Sequence, residues 1–202
     1  MGKGLSAEKR ERIIAAAIEV LNQKELSQCL MDDIAEKARV AKGTIYLYYK
    51  SKDELYLEVL LSFMDNLKKI IEEVANQNAG AKIKLGRLIE KIADFLHQYR
   101  RVFFALQMEA SSINISNRAH RSVHRRFSQA ILLLARTLEP LMRQGIKEKV
   151  LKNYSPRTLA AFFLALLPVL VRRVIGPPEL KNLGLEITPQ LLYKFLLEGI
   201  GQ

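Results

Sequence analysis

Apolar residues return every three or four positions along most of the chain, and no stretch alternates apolar and polar positions as a half-buried strand would. From Ala7 to Gln23, the residues Ile13, Ile14, Ala17, Ile18 and Leu21 share one helical face, with Ser6 as the N-cap. A short helix over about Met31 to Ala38 places Ile34 and Ala35 inward, and the connection Arg39 to Lys42 leads to a third short helix ending near Tyr49. Ser51-Lys52-Asp53-Glu54 has the spacing of a capping box and opens a long helix. Along it Tyr56, Leu60, Phe63, Leu67, Ile70 and Val74 recur in steps of four and three, until Asn76-Gln77-Asn78-Ala79-Gly80 ends the pattern.

Beyond Gly80 the periodicity predicts helices over Ile83 to Tyr99, Val102 to Ser111 and Arg118 to Gln144, the last stopped by Gly145. Ser155-Pro156 and Thr188-Pro189 each pair a capping hydroxyl with a first-turn proline, so each opens a further helix. The expected fold is all-α: an N-terminal three-helix bundle at residues 1–52 and a larger helical domain at 53–202. The apolar run Leu159 to Val171 is shorter than the ~20 residues a bilayer requires and stops at Arg172-Arg173, which makes it a buried core or interface helix.

Composition narrows the partners. The 202 residues carry a net charge of +11, which calls for an anionic partner. Its distribution is uneven: residues 1–54 hold ten Lys and Arg against nine Asp and Glu, a net of +1, and the remaining +10 lies beyond them. An argument for nucleic acid therefore rests on local placement. A single cysteine, Cys29, excludes an internal disulfide and fits a reducing cytoplasm. The charged opening is not a signal peptide. Gly2 and Ser6 match the myristoylation spacing, read as coincidence because no second membrane signal follows.

The first three helices combine as a helix-turn-helix, whose last member enters the DNA major groove. On a helical wheel Ile45 and Tyr49 turn inward with Ala41 and part of Tyr48, while Lys42, Gly43, Tyr46, Leu47 and Lys50 turn outward. Gly43 lets backbone approach a phosphate or base closely. Thr44 and Tyr48 carry hydroxyls suited to phosphate oxygens, and Lys52 stands beside a helix N-terminus that also attracts phosphate. Tyr46 and Leu47 can touch thymine methyls, and Lys42 can donate to guanine O6 and N7.

The stretch Met31 to Tyr56, "MDDIAEKARVAKGTIYLYYKSKDELY", resembles the signature of the tetracycline-repressor (TetR/AcrR) family, with the likeness specific over roughly residues 10–56. The resemblance implies a homodimer with a DNA-binding head, a long connecting helix and a helical domain for effector binding and dimerisation. It puts Lys42, Gly43, Thr44, Tyr46, Leu47, Tyr48 and Lys52 on DNA-contacting positions, and Ile34, Ala35, Val40, Ile45 and Tyr49 on core positions. Such a chain is a cytoplasmic regulator, a repressor of a palindromic operator in double-stranded DNA, released when an effector tilts the long helix. The chain departs from the family at Arg39 and Glu25, where glycines are usual, and at Leu30 and Ala41, where capping Thr or Ser is common.

In the C-terminal domain, Phe63, Leu67, Leu96, Phe103, Phe104, Met108 and Phe127 can line a cavity, with Arg100, Arg101, Arg118, Arg121, Arg125, Arg126 and Arg172-Arg173 supplying cations. The expected effector site is Phe63, Leu67, Leu96, Arg100, Phe104, Met108 and Phe127. It suits an amphipathic anion such as a fatty acid or acyl-coenzyme A, with a lipophilic drug-like compound as the alternative. His120 and His124 have the spacing of two metal ligands, but no third ligand is near and four arginines crowd them, so no metal is expected. No cofactor and no catalytic residue is expected either, since no nucleophile–base pair, paired carboxylates or phosphate loop occurs. Two rivals stay open: an enzyme built in the C-terminal helices, and an interaction module that uses the 159–171 helix to bind another chain.

Overall fold

The computed structural model describes residues 6–24, 28–103, 118–175 and 188–200, and side chains within these except at 118–124, 168–175 and 200. Regular structure among the described residues is helical: α1 Ala7–Gln23, α2 Met31–Lys37, α3 Lys42–Tyr48, α4 Lys52–Ala75, α5 Ala81–Gln98, α6 Arg118–Lys147, α7 Pro156–Ile175 and α8 Pro189–Ile200. The helix expected over Val102 to Ser111 is represented by a helical turn at 100–103; its remainder lies outside the described residues. No helix among the described residues is long and apolar enough to cross a membrane.

The chain divides into two compact units, Met1–Phe63 with Tyr99–Val123, and Met64–Gln98 with His124–Gln202. The division expected between residues 52 and 53 falls inside the first unit.

In the first unit, α1 turns Ile13, Ala17 and Leu21 to a core that also takes Ile34, Ile45, Tyr49, Leu55, Val59 and Phe63. Phe63 rests against Tyr99 and Phe103, at ring-centroid distances of 5.2 and 4.7 Å. The missing hydroxyl caps are replaced in part. Leu30 and Ala41 stand at the N-caps of α2 and α3 without a side-chain cap bond. The Asp33 carboxylate accepts the Leu30 N–H at 3.0 Å and pairs with the Lys24 ammonium at 2.8 Å. Lys24 first, and that N–H second, hold the Asp33 carboxyl below the usual carboxylate range. Ser51 caps α4 by accepting the Glu54 N–H at 3.2 Å. Glu54 in turn accepts the Lys50 N–H at 2.7 Å, one residue before the cap.

Arg39 takes the left-handed conformation, φ 52°, in the turn between α2 and α3. The Val40 N–H reaches back to the Ala35 carbonyl at 3.0 Å, closing the end of α2 as glycine-terminated helices do. A side chain there costs on the order of 1 kcal/mol. Arg12 supports the turn by donating to the Ala38 carbonyl at 2.6 Å.

In the second unit α5 packs on α7 and α8, burying Leu85, Leu88, Ile92 and Leu96 together with Leu159, Phe163, Leu192 and Leu196. Ser155 and Thr188 cap as expected, accepting the Thr158 N–H at 3.1 Å and the Leu191 N–H at 3.0 Å. The expected stop at Gly145 is corrected: α6 continues to Lys147 and the left-handed residue is Lys149, φ 54°. Gly145 has another reason. A Cβ there would come within 2.7 Å of Leu151 Cδ1, so only glycine lets Leu151 pack against this turn.

Candidate nucleic-acid interface

The turn at Arg39 and the caps around it decide which side of α3 is open. Ile45 and Tyr49 are sealed in the core, and burial pushes the Tyr49 phenol above its ordinary value. On the opposite side Lys42, Gly43, Tyr46, Leu47 and Lys50 are exposed, Tyr46 by 46% and Leu47 by 70%. Large apolar surface of that kind is unusual on a charged two-turn helix and marks a contact face. A Cβ at Gly43 would meet no atom within 4 Å, so internal packing does not explain the glycine. Thr44 is half-buried at the edge of this face.

Three of the expected DNA-contacting residues have company that the sequence did not announce. The Tyr48 hydroxyl accepts the Ser6 N–H at 2.9 Å and donates to the Ser6 carbonyl at 3.3 Å, fastening the start of α1 to the end of α3. The outward hydroxyl expected of Tyr48 is thus engaged inside the head. Lys42 Nζ lies 2.9 Å from Asp32, and that carboxylate raises the Lys42 pKa. Lys52 is half-buried with its ammonium 5.3 Å from the centroid of the Tyr56 ring. Behind the face, the buried Glu58 carboxylate accepts from Arg10 Nη2 at 2.7 Å, so the first helix and the start of the long helix share an ion pair. Neither Arg10 nor Arg12 was singled out from the sequence. Cys29 is buried, and that burial pushes its thiol up and away from reactivity.

The expected effector residues are scattered in role. Phe63 is core in the first unit, and Arg100 of that unit is exposed. Leu67 and Leu96 are core in the second unit, where Phe127 is half-buried. Phe104 and Met108 lie outside the described residues, as do the side chains of His120, His124, Arg118, Arg121, Arg172 and Arg173. Among the described residues, no three His, Cys, Asp or Glu side chains gather as a metal site. A groove of about 230 Å³ in the second unit is lined by Lys82, Ile83, Gly86, Arg87, Glu90 and Tyr193 among others, and contains none of the expected set.

Comparison with known proteins agrees with this geometry. Residues 13–59 match the sequence profile of bacterial regulatory proteins of the tetR family. The chain is 28% identical over 145 residues to the fatty acid metabolism regulator protein of Bacillus subtilis, covering 72% of each. It is 32% identical over 100 residues to the transcriptional activator FasR of Mycolicibacterium smegmatis, which is 48% of this chain and 46% of that one. Its fold superimposes on the transcriptional regulator FadR of Bacillus subtilis in complex with stearoyl-CoA with a TM-score of 0.67, at 22% identity over 94% of this chain and 98% of that one.

Proposed function

From the premise that this chain belongs to the tetR family of bacterial regulatory proteins, we propose that it is a homodimeric repressor whose α3 helices read a palindromic operator and whose helical domain answers to a fatty acid or acyl-coenzyme A. The observation that carries the reading is the two-sidedness of α3. Ile45 and Tyr49 anchor it, and Gly43, Tyr46 and Leu47 remain open between Lys42 and Lys50. In this mechanism Tyr46 and Leu47 meet base edges, Lys42 donates to a base or phosphate, and Thr44 and Lys52 hold the backbone. The division of labour runs at residues 52 and 53, with the head reading DNA and the remainder sensing and pairing.

Two-fold pairing is supported by apolar side chains left open on α7 and α8, namely Phe162, Leu191 and Phe195, which a second copy can cover symmetrically. Two copies of α3 then address successive major grooves about 34–36 Å apart or a variant of that spacing. The effector class is favoured by the likeness to regulators of fatty acid metabolism, one of them in complex with stearoyl-CoA. In the second unit the exposed cation Arg125 suits a phosphate-bearing ligand. An effector that tilts α4 shifts the spacing of the heads, a coupling typically of ~1–3 kcal/mol.

Selection of bound genomic fragments by the purified protein supplies the operator. On it Tyr46→Ala is expected to cost about 10- to 100-fold in specific affinity. Lys52→Ala weakens all duplexes alike, with a salt slope shallower by about 1. Unchanged affinity in both variants refutes this face. Calorimetry with palmitoyl-coenzyme A and with a lipophilic cation decides the effector class, and heat with the cation alone replaces the lipid reading by the drug-like one.

A further inference from the structure

Asp32 has only a small part in holding the head together, as an acid near the N-terminus of α2. It occupies the first turn of α2, but the Leu30 N–H is already satisfied by Asp33, which also takes the Lys24 ammonium. The Asp32 side chain is 59% exposed and its partner Lys42 is 53% exposed, so their 2.9 Å pair lies in water and adds little to stability. Yet it bridges the first turns of α2 and α3, beside Gly43 and Tyr46. Within residues 1–54, where the net charge is only +1, a carboxylate sits on a lysine of the proposed DNA-reading face.

We infer that Asp32 is a discrimination residue, an acidic guard on Lys42 that suppresses phosphate-driven binding to arbitrary DNA. The inference rests on the DNA-reading role of α3. Binding to arbitrary sequence draws its affinity from ammonium and guanidinium groups that displace counterions from phosphates. Lys42 enters that exchange already paired, and any phosphate that captures it must also approach the Asp32 carboxylate. On the correct base pair the two side chains act together: Lys42 donates to guanine O6 or N7, and Asp32 accepts from a cytosine N4 amine. The acid thus subtracts from every wrong site and is compensated at the right one.

The test uses the full chain with the selected operator fragment and a scrambled duplex of equal length, each titrated across a salt series. Asp32→Asn is expected to bind the scrambled duplex roughly fivefold more tightly, with a salt slope steeper by about 0.9 per copy. The ratio of operator to scrambled affinity falls by at least that factor. In a Lys42→Met background Asp32→Asn produces no steepening, because the cation it would release is gone. Asp32→Glu keeps the charge and retains most of the wild-type ratio, which separates guarding from helix stability. An Asp32→Asn chain with unchanged slope and affinity, or one weakened on both duplexes alike, overturns the guard. A wild-type chain that prefers no fragment over the scrambled duplex overturns the regulatory reading itself, and the guard with it.

Discussion

The two units end a helix by the same device and support it differently. In the first, α2 closes on left-handed Arg39, with the Val40 N–H on the Ala35 carbonyl at 3.0 Å. In the second, α6 closes on left-handed Lys149, with the Val150 N–H on the Gly145 carbonyl at 2.9 Å. Each puts a long cation where glycine carries no steric penalty. Around Arg39 the reinforcement comes from one guanidinium, Arg12, on the Ala38 carbonyl. Around Lys149 it comes from a polar chain that crosses the second unit. Glu148 accepts the Ala81 N–H at 2.6 Å and the Gln144 amide at 2.6 Å. Gln144 also donates to the Ala79 carbonyl at 3.0 Å and accepts from Lys84 Nζ at 2.9 Å, while Lys84 donates to the Ala75 carbonyl at 2.8 Å. Gln144 and the Ala81 N–H, with Lys84 adding a smaller share, hold the Glu148 carboxyl below its ordinary value. At the Arg39 turn the support is thus a single part-buried guanidinium. The second unit is closed by a buried ammonium joining positions 60 residues apart.

Lys84→Met is the harshest way to separate the two. The apolar replacement keeps the volume and leaves the Ala75 carbonyl and the Gln144 side-chain oxygen without their donor, at roughly 1–3 kcal/mol for each. Hydrogen exchange should speed up across α5 and the end of α6 while α1 to α3 keep their protection. If exchange rises equally in α1 to α3, the two units unfold as one and the contrast between them fails.

Gly145→Ala comes next. In an open helix the change gains about 0.5–1 kcal/mol. Here the new methyl meets Leu151 Cδ1 and Cγ at 2.7 and 2.9 Å. Overpacking of that kind costs about 1–3 kcal/mol, so the net effect is a loss. Adding Leu151→Ala restores room, and the double variant should lose less than the two single changes together. Urea unfolding of the four chains measures the coupling, and strict additivity would remove packing as the reason for this glycine.

That glycine also shows where sequence reading stops. A helical pattern ending at glycine is a sound stop signal, but Gly145 is glycine for a neighbour rather than for a dihedral angle, and the angle fell to Lys149. The caps Ser6, Ser51, Ser155 and Thr188 were legible because each acts within three residues, and apolar period placed α1 to α4 to within a residue or so. The open side of α3 was legible because period alone sorts Ile45 from Tyr46. What period cannot carry is where a side chain ends. Tyr48 reaches back 42 residues to Ser6, and Lys42 ten residues to Asp32. The proposed effector lining meets the same obstacle: apolar residues at helical spacing build cores and cavities alike, and Phe63 is spent on the aromatic core of the first unit.

The smallest effect bears directly on the shared device. Arg39→Gly removes a Cβ from a left-handed residue, worth on the order of 1 kcal/mol in the folded head. The added freedom of glycine in the unfolded chain cancels part of that gain. A net rise of about 0.5 kcal/mol is expected, read as slower exchange in α1 to α3 with no change in α5. Lys149→Gly should give a similar rise confined to the second unit. The controls are Arg39→Ala and Lys149→Ala, which delete the charge and keep the Cβ, and so should bring no gain. Stabilisation by alanine equal to that by glycine would trace the effect to repulsion among cations instead of backbone strain. The two turns would then be alike only in charge.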